Sequence, residues 1–416
     1  MQTFGRDSDD KVGTHSRLAG HVAQLDPTHG TAEIAHRQGR LEQLDHKPLL
    51  VFWETTKACP LSCKHCRATA IDTALPDELS HIESLDLLNQ IAEFGKPAPI
   101  LVMTGGDLMV RTDTFSLIRY ARDLGIRVAI SPAVSPLLNE TNAKRMFEYG
   151  VRSVSISVDG IGATHDGVRG KQGHYESTLA TIAMLTGIGY TVQVNSTVMR
   201  TTVNDLPKLA ATLIGLGVQV WEVFFLIQVG RGTDLLELLA EENEDVARFL
   251  YDVSQYGMLV RTVEAPLFRR VATNLRNSTG EVTDVLPAGS LYRQLSNQLL
   301  ALMGQPTHKP KAPAVATRDG KGIVFISQSG EIFPSGFLPL SLGNVKTDSL
   351  VDVYRNDPLL KQIREADFQG RCGICEYRDL CGGSRSRAFT EYANPLAEDP
   401  ACAFVPSSSS AHAPHN

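Results

Sequence analysis

The 416-residue chain has no uninterrupted apolar run of the ~18 residues that a membrane-crossing helix needs. Its first residues, Met1 to Asp10, are polar and acidic where a secretory signal would carry a basic start and an apolar block. Both absences predict a cytoplasmic protein. Positive charge is not in excess either: 40 Lys and Arg face 46 Asp and Glu, a net charge of -6. That gives no general electrostatic reason to bind nucleic acid or an anionic membrane. No segment repeats at a solenoid period. Cysteine is scarce, with seven in all, yet none is isolated. Cys59, Cys63 and Cys66 stand near the front, and Cys372, Cys375, Cys381 and Cys402 near the end. An odd count in a reducing compartment argues against disulfides. What is present suffices for a full core: 42% of residues are apolar, and the length suggests roughly two to three domains.

Residues 1–46 form a polar extension holding five of the twelve histidines, His15, His21, His29, His36 and His46, at irregular spacing that reads as solvated side chains. From Lys47 short β-like runs alternate with amphipathic stretches. Strands are predicted at Leu49 to Glu54, Ile100 to Thr104, Arg127 to Ser131, Ser153 to Val158, Thr191 to Met199 and Gln219 to Val229. Helices are predicted near 80–94, 113–124, 139–149, 175–187 and 203–216, most closed by a glycine such as Gly95, Gly125, Gly150, Gly189 or Gly217. Six β units separated by helices imply a parallel sheet, too short for a closed eight-unit barrel and suited to an open, partial one. A Leu- and Glu-rich helical stretch follows at 235–256, then a strand-like run from Met258 to Pro266 and a further helix. Gly304 to Pro313, rich in Pro and Lys, reads as a linker, and Gly322 to Gly336 as a hairpin turning at Ser329-Gly330. The expected divisions are 1–46, 47–235, 236–303, 304–316, 317–404 and a disordered tail at 405–416.

The first cysteines have the spacing Cys59-x3-Cys63-x2-Cys66 immediately after the first predicted strand. Loops that follow barrel strands form the active face, so these thiols should meet where chemistry happens. Three thiolates can hold three irons of a 4Fe-4S cluster and leave the fourth iron open. A zinc knuckle completed by His65, or plain buried thiols, are the alternatives. The late cysteines, Cys372-x2-Cys375-x5-Cys381-x20-Cys402, can close a metal site completely, as an iron-sulfur cluster or a zinc ribbon.

With Thr104-Gly105-Gly106-Asp107 after strand two, and Ser157 and Arg169 near strand four, the sequence resembles the radical S-adenosylmethionine (radical SAM) superfamily. The resemblance implies a partial (β/α)6 TIM-like barrel core with a smaller cysteine-rich C-terminal domain of the SPASM/twitch type. It implies that Gly105, Gly106 and Asp107 receive the amino group of S-adenosylmethionine, Asp replacing the commoner Glu. Ser157 would contact the cofactor and Arg169 its carboxylate. Asn195 and the stretch Phe224 to Arg231 would approach the ribose and adenine. One departure is Leu108, where relatives usually carry Pro. For the late cysteines the likeness implies one auxiliary 4Fe-4S cluster, since Ser335 stands where a fuller module would carry a cysteine.

Within the superfamily the likeness is to the heme-biosynthesis branch, the AhbD-like and NirJ-like enzymes that act on porphyrin propionates. CKHCRATA, TGGD, VGRG, VEAPLFRRV, PSGFLP, GNV, CGGSRSRA and AEDPAC carry it, over about residues 48 to 404. It implies reductive cleavage of S-adenosylmethionine to a 5'-deoxyadenosyl radical, hydrogen abstraction from a tetrapyrrole side chain, and a reduced flavodoxin or ferredoxin-like electron donor. A carboxylate-bearing substrate needs local cations, and Arg231, Arg269, Arg270, Arg385 and Arg387 are the candidates. The alternatives are a peptide-modifying maturase with the same cofactors, and a noncatalytic iron-sulfur or zinc-stapled binding protein.

Overall fold

Apolar side chains at alternate positions build the strands and divide the sheet into two unlike faces. In Thr191–Val198 the residues Val192, Val194 and Val198 are buried, while Gln193, Asn195 and Thr197 between them are half-buried on the other face. Trp221 and Val223 of Val220–Phe225 continue the apolar face, with Glu222 and Phe224 opposite. The apolar face meets helices such as His81–Ala92, whose Leu87, Leu88 and Ile91 are fully buried. Burial of side chains of this size stabilises by about 1.5–3 kcal/mol each, so the outer face fixes strand register. Trp221 satisfies its indole N–H by donating to Ser196 Oγ at 2.9 Å.

The structure is a computed structural model that describes residues 43–277, 286–313 and 317–407. The histidines at 15, 21, 29 and 36, and the tail from 408, lie outside the described residues. The six predicted strands form as β1 (Leu50–Glu54), β2 (Ile100–Thr104), β3 (Val128–Ile130), β4 (Ser153–Ser157), β5 (Thr191–Val198) and β6 (Val220–Phe225). They pair in parallel in that order. The helices end much as expected, Gly189 taking a φ of 104° after His174–Ile188.

Three features differ from the sequence expectation. The sixth strand stops at Phe225 rather than Val229, because the chain leaves the sheet there to reach the cysteine loop. A helix at Ala163–Arg169 was not predicted, being only seven residues long. The sheet also extends beyond six units: β7 (Leu259–Val263) pairs parallel with β6, and β8 (Ile323–Ile326) pairs parallel with β1. The predicted hairpin is β8 with antiparallel β9 (Glu331–Phe333), and β10 (Gly343–Asn344) completes the order β10-β9-β8-β1-β2-β3-β4-β5-β6-β7. The strands before and after the proline-rich stretch 304–313 thus belong to one open ten-stranded sheet. No described helix is long and apolar enough to cross a membrane.

Candidate active site

The cysteine loop leaves the C-terminal end of β1. It is pinned at its root by a bridge between Ala58 and Ile71, the Cys59 N–H donating to Ile71 O at 2.8 Å. The Cys66 N–H donates to Cys63 O at 3.3 Å, and the three cysteines share one small apolar cluster with Leu61, Ala70 and Ala133. Burial pushes the Cys59 thiol up to about 11. Such thiols favour deprotonation only beside a cation or metal. Around them Arg169 Nε, Arg231 Nη2 and His65 Nδ1 are buried with no hydrogen-bond partner. A buried group left unpaired costs about 1–3 kcal/mol, so two guanidinium donors waiting beside three thiols fit a guest rich in lone pairs. The sulfides of an iron-sulfur cluster and the carboxylate of S-adenosylmethionine are such guests.

Two glycines let the second loop lie against this one. A Cβ on Gly106 would stand 2.2 Å from the Ala58 carbonyl oxygen, and one on Gly105 2.5 Å from that of Thr56. In return the Gly106 N–H donates to Thr56 O at 2.7 Å and the Asp107 N–H to Ala58 O at 2.7 Å. The Asp107 carboxylate is fully buried, accepting from Ser135 Oγ at 2.7 Å and from the Met109 N–H at 3.1 Å. Burial raises its pKa against both hydrogen bonds. Its oxygens are turned into the fold, so Asp107 shapes the loop from beneath.

Beyond Ser157 the chain places Asp159, which the sequence reading passed over, at the centre of the site. Its Oδ2 lies 3.0 Å from His65 Nε2 and 2.5 Å from Arg169 Nη2, and its Oδ1 accepts from the Thr197 N–H at 2.7 Å. Arg169 Nη1 reaches Cys63 Sγ at 3.6 Å. The helix Ala163–Arg169 is fastened to the cysteine loop by the Lys64 N–H donating to Val168 O at 2.8 Å. Ser157 lies in register with Asn195, Asn195 with Glu222, and Glu222 with Arg261, one polar row across four strands on the inner face. Glu222 and Arg261 were also missed; the parallel register that aligns them has no local sequence signal.

The late cysteines line a single pocket with Arg270, Gly383, Asp399 and Phe404. The Asp399 N–H donates to Cys372 Sγ at 3.4 Å and the Tyr377 N–H to Cys375 Sγ at 3.4 Å, while Arg385 Nη2 lies 3.7 Å from Cys372 Sγ. Burial pushes Cys381 up to about 11 and raises Cys402 further. The buried Arg270 Nη1 has no hydrogen-bond partner. Four thiols gathered in one pocket and met by N–H donors suit an iron-sulfur guest whose metal charge would favour their thiolate form. Ser335 Oγ stands 3.4 Å from Ser386 Oγ in a buried polar knot with Asp319 and Glu264, so the position that could have carried an eighth cysteine is filled by hydrogen bonding.

The five arginines expected to meet a substrate all have protein partners. Arg231 donates to Cys63 O at 2.9 Å and Ala70 O at 3.0 Å. Arg269 bonds the carbonyls of Leu380 and Thr317, and Arg270 pairs with Glu244. Arg385 donates to Pro395 O at 2.9 Å and Ala397 O at 2.7 Å. Arg387 pairs with Glu237 at 2.9 Å and donates to Glu264 O at 2.9 Å and Leu226 O at 3.1 Å. A buried guanidinium must place five donors, and loop carbonyls are the acceptors within reach. These side chains hold the loops of the two cysteine sites together.

Residues 53–213 match the radical SAM superfamily. Over 362 residues, covering 86% of this chain and 87% of the relative, the sequence is 34% identical to the AdoMet-dependent heme synthase of Oleidesulfovibrio alaskensis. It is 28% identical to mycofactocin maturase MftC of Mycobacterium ulcerans over 87% of this chain and 90% of the relative. The crystal structure of Streptococcus suis SuiB bound to S-adenosylmethionine shares the fold with a TM-score of 0.62 at 15% identity, over 92% of this chain and 84% of that one. The chain is an enzyme and belongs to the radical SAM superfamily, in the group that contains the AdoMet-dependent heme synthases.

Proposed function

We propose that this enzyme oxidises a propionate side chain of a tetrapyrrole, in the manner of the heme synthases it resembles. In this reading Cys59, Cys63 and Cys66 hold the 4Fe-4S cluster with an open iron, and Cys372, Cys375, Cys381 and Cys402 hold one auxiliary 4Fe-4S cluster. The observation that carries it is the identity of 34% to a heme synthase over 86% of this chain. Seven unpaired cysteines fit a reducing compartment, the cytoplasm, where a flavodoxin or ferredoxin-like protein can donate electrons.

When bound, the cofactors supply the 5'-deoxyadenosyl radical that removes a substrate hydrogen and an acceptor for the electron released next. Loss of hydrogen from a propionate leaves a carbon radical, and its conversion to a vinyl group releases carbon dioxide and one electron. The chain supplies the rest. The glycine pair sets the second loop against the first, Asp159 and Arg169 orient the thiol loop, and the polar row from Ser157 to Asn195 faces the cofactor. For the late cysteines a cluster is favoured over zinc. The family likeness favours it, and the N–H groups of Tyr377 and Asp399 already meet Cys375 Sγ and Cys372 Sγ at 3.4 Å, as the sulfurs of a cluster are met.

The second reading, peptide modification, draws on the 28% identity to MftC. Anaerobic incubation of reconstituted enzyme with S-adenosylmethionine, reductant and either iron coproporphyrin III or a peptide panel separates the two by product mass. Loss of about 46 mass units per converted propionate, one CO2 and two hydrogens, supports the proposal. A modified peptide beside unchanged porphyrin replaces it with the second reading.

A further inference from the structure

The expected arginines are engaged by carbonyls and carboxylates of the protein, which turns attention to other cations for the substrate's carboxylates if the tetrapyrrole reading holds. Two arginines that the sequence did not single out stand on the inner face and keep part of their side chains in the open. Arg67 follows the last cysteine of the first loop, pairs with Glu54 at 3.2 Å and retains 24% side-chain exposure. Arg261 projects from β7, pairs with Glu222 at 3.2 Å and retains 37%.

The register places Arg261 at the far end of the row that begins at Ser157. Three strand spacings of about 4.8 Å separate the ends, roughly 14 Å. That is about the reach of a flat macrocycle with acidic side chains at its rim. Aromatic side chains stand near each cation, Phe224 lying two residues along β6 from Glu222, the register partner of Arg261. The Arg67 guanidinium sits 4.5 Å over the Phe325 ring of β8, and Phe337, just beyond β9, meets Phe224 of β6 with ring centroids 6.1 Å apart. Chain segments seven places apart in the sheet order are therefore brought face to face by its curl. Aromatic rings accompanied by guanidinium groups match a planar polycarboxylate better than an extended peptide, whose backbone would need polar partners throughout.

We propose that Arg261 receives one carboxylate of the substrate and that Arg67 receives another at the opposite margin, so that the pair sets the macrocycle's orientation. The ion pair with Glu222 does not remove Arg261 from this role. Burial favours the neutral form of Glu222 over the opposing effect of Arg261, and Gln193 joins them, accepting from Arg261 Nη2 at 2.5 Å and donating to Glu222 Oε2 at 2.8 Å. An incoming carboxylate can take the bidentate position on a guanidinium already aimed by its neighbours.

The assignment rests on the tetrapyrrole reading, and one titration tests both separately. Iron coproporphyrin III and its tetramethyl ester are titrated into reconstituted wild type, Arg261→Gln, Arg261→Lys and Arg67→Gln, with Soret absorbance as the signal and iron content as a check on folding. Wild type is expected to bind the tetra-acid. Arg261→Gln should bind it about 10-fold more weakly with ester binding unchanged, and Arg261→Lys should recover part of the loss. Arg67→Gln should behave as Arg261→Gln does. Equal affinity of wild type and Arg261→Gln for the tetra-acid overturns the assignment while leaving the tetrapyrrole reading in place. Failure of wild type to bind either porphyrin overturns both.

Discussion

Asp159 Oδ2 lies 2.5 Å from Arg169 Nη2, both side chains being buried. Burial alone would raise the Asp159 carboxyl, but the Arg169 charge, then His65, hold it well below the usual carboxylate range. Removing one partner of such a pair strands the other charge in a medium that cannot solvate it. Asp159→Ala should therefore cost about 3–5 kcal/mol of stability, read as a shift in the urea midpoint of the reconstituted protein. It should also slow 5'-deoxyadenosine formation, because Arg169 would no longer be held against Cys63. A midpoint shift worth less than about 1 kcal/mol would show that the pair is not structural.

Gly106 tests how closely the two loops must approach. A methyl group there has 2.2 Å of space before the Ala58 carbonyl oxygen, so Gly106→Ala must displace the segment that leads into Cys59. Reconstituted wild type should carry about eight irons per chain, two clusters of four, and Gly106→Ala about four. Gly167→Ala is the control. Gly167 lies within Ala163–Arg169 with nothing within 4 Å of its Cβ position, and alanine there should be neutral or stabilising by up to about 1 kcal/mol. Full iron in Gly106→Ala would disprove the steric argument.

The strands of the barrel were legible because alternation is local: Val192, Val194 and Val198 announce their face without knowing their neighbours. Pairing partners were not legible. β8 joins β1 across more than 250 residues of chain, and nothing in Ile323–Ile326 names Leu50–Trp53 as its partner, so a sheet that continues through the C-terminal region read as a separate hairpin. The cysteines and the glycine pair stood out in the sequence because cluster ligation and close backbone approach each restrict residue type at fixed spacing. Arginine carries no such restriction. Arg385 and Arg387 beside the late cysteines looked like substrate cations, yet Arg385 donates to the nearby carbonyls of Pro395 and Ala397 and Arg387 pairs with Glu237 from a distant loop. Arg261 looked like an ordinary strand residue until register set it in line with Ser157.

The two cysteine sites should load independently, since one follows β1 and the other lines its own pocket beyond β10. Replacing Cys59, Cys63 and Cys66 together by Ala should abolish 5'-deoxyadenosine formation and leave about four irons per chain with the broad absorbance of a thiolate-ligated cluster. Zinc in place of iron in that variant would remove the auxiliary cluster from the proposal. Undiminished 5'-deoxyadenosine under strong reductant would remove the first one.

His165 and His174, buried behind the site, make stability depend on acid. The Asp159 N–H donates to His165 Nδ1 at 3.1 Å, and His174 Nε2 lies 3.1 Å from Val134 O, which only a protonated nitrogen can satisfy. The proton between His165 Nε2 and His174 Nδ1, 2.8 Å apart, must then sit on His165, and both rings are neutral with each acceptor nitrogen already facing a donor. Burial, then the nearby Arg169 charge, pushes His165 down to about 4, whereas the unfolded chain takes up its proton near the ordinary value of 6.5. Between those values the unfolded state binds more protons, so the contribution is fully present above about 6.5 and lost as pH falls toward 4. By pH 5 the loss from His165 amounts to about 2 kcal/mol. Urea unfolding of wild type and His165→Gln at pH 7.5 and pH 5 isolates it: the variant starts less stable but should lose about 2 kcal/mol less on acidification. Equal losses in the two proteins would mean that His165 takes up its proton in the native state as readily as in the unfolded chain, which this hydrogen-bond chain does not permit.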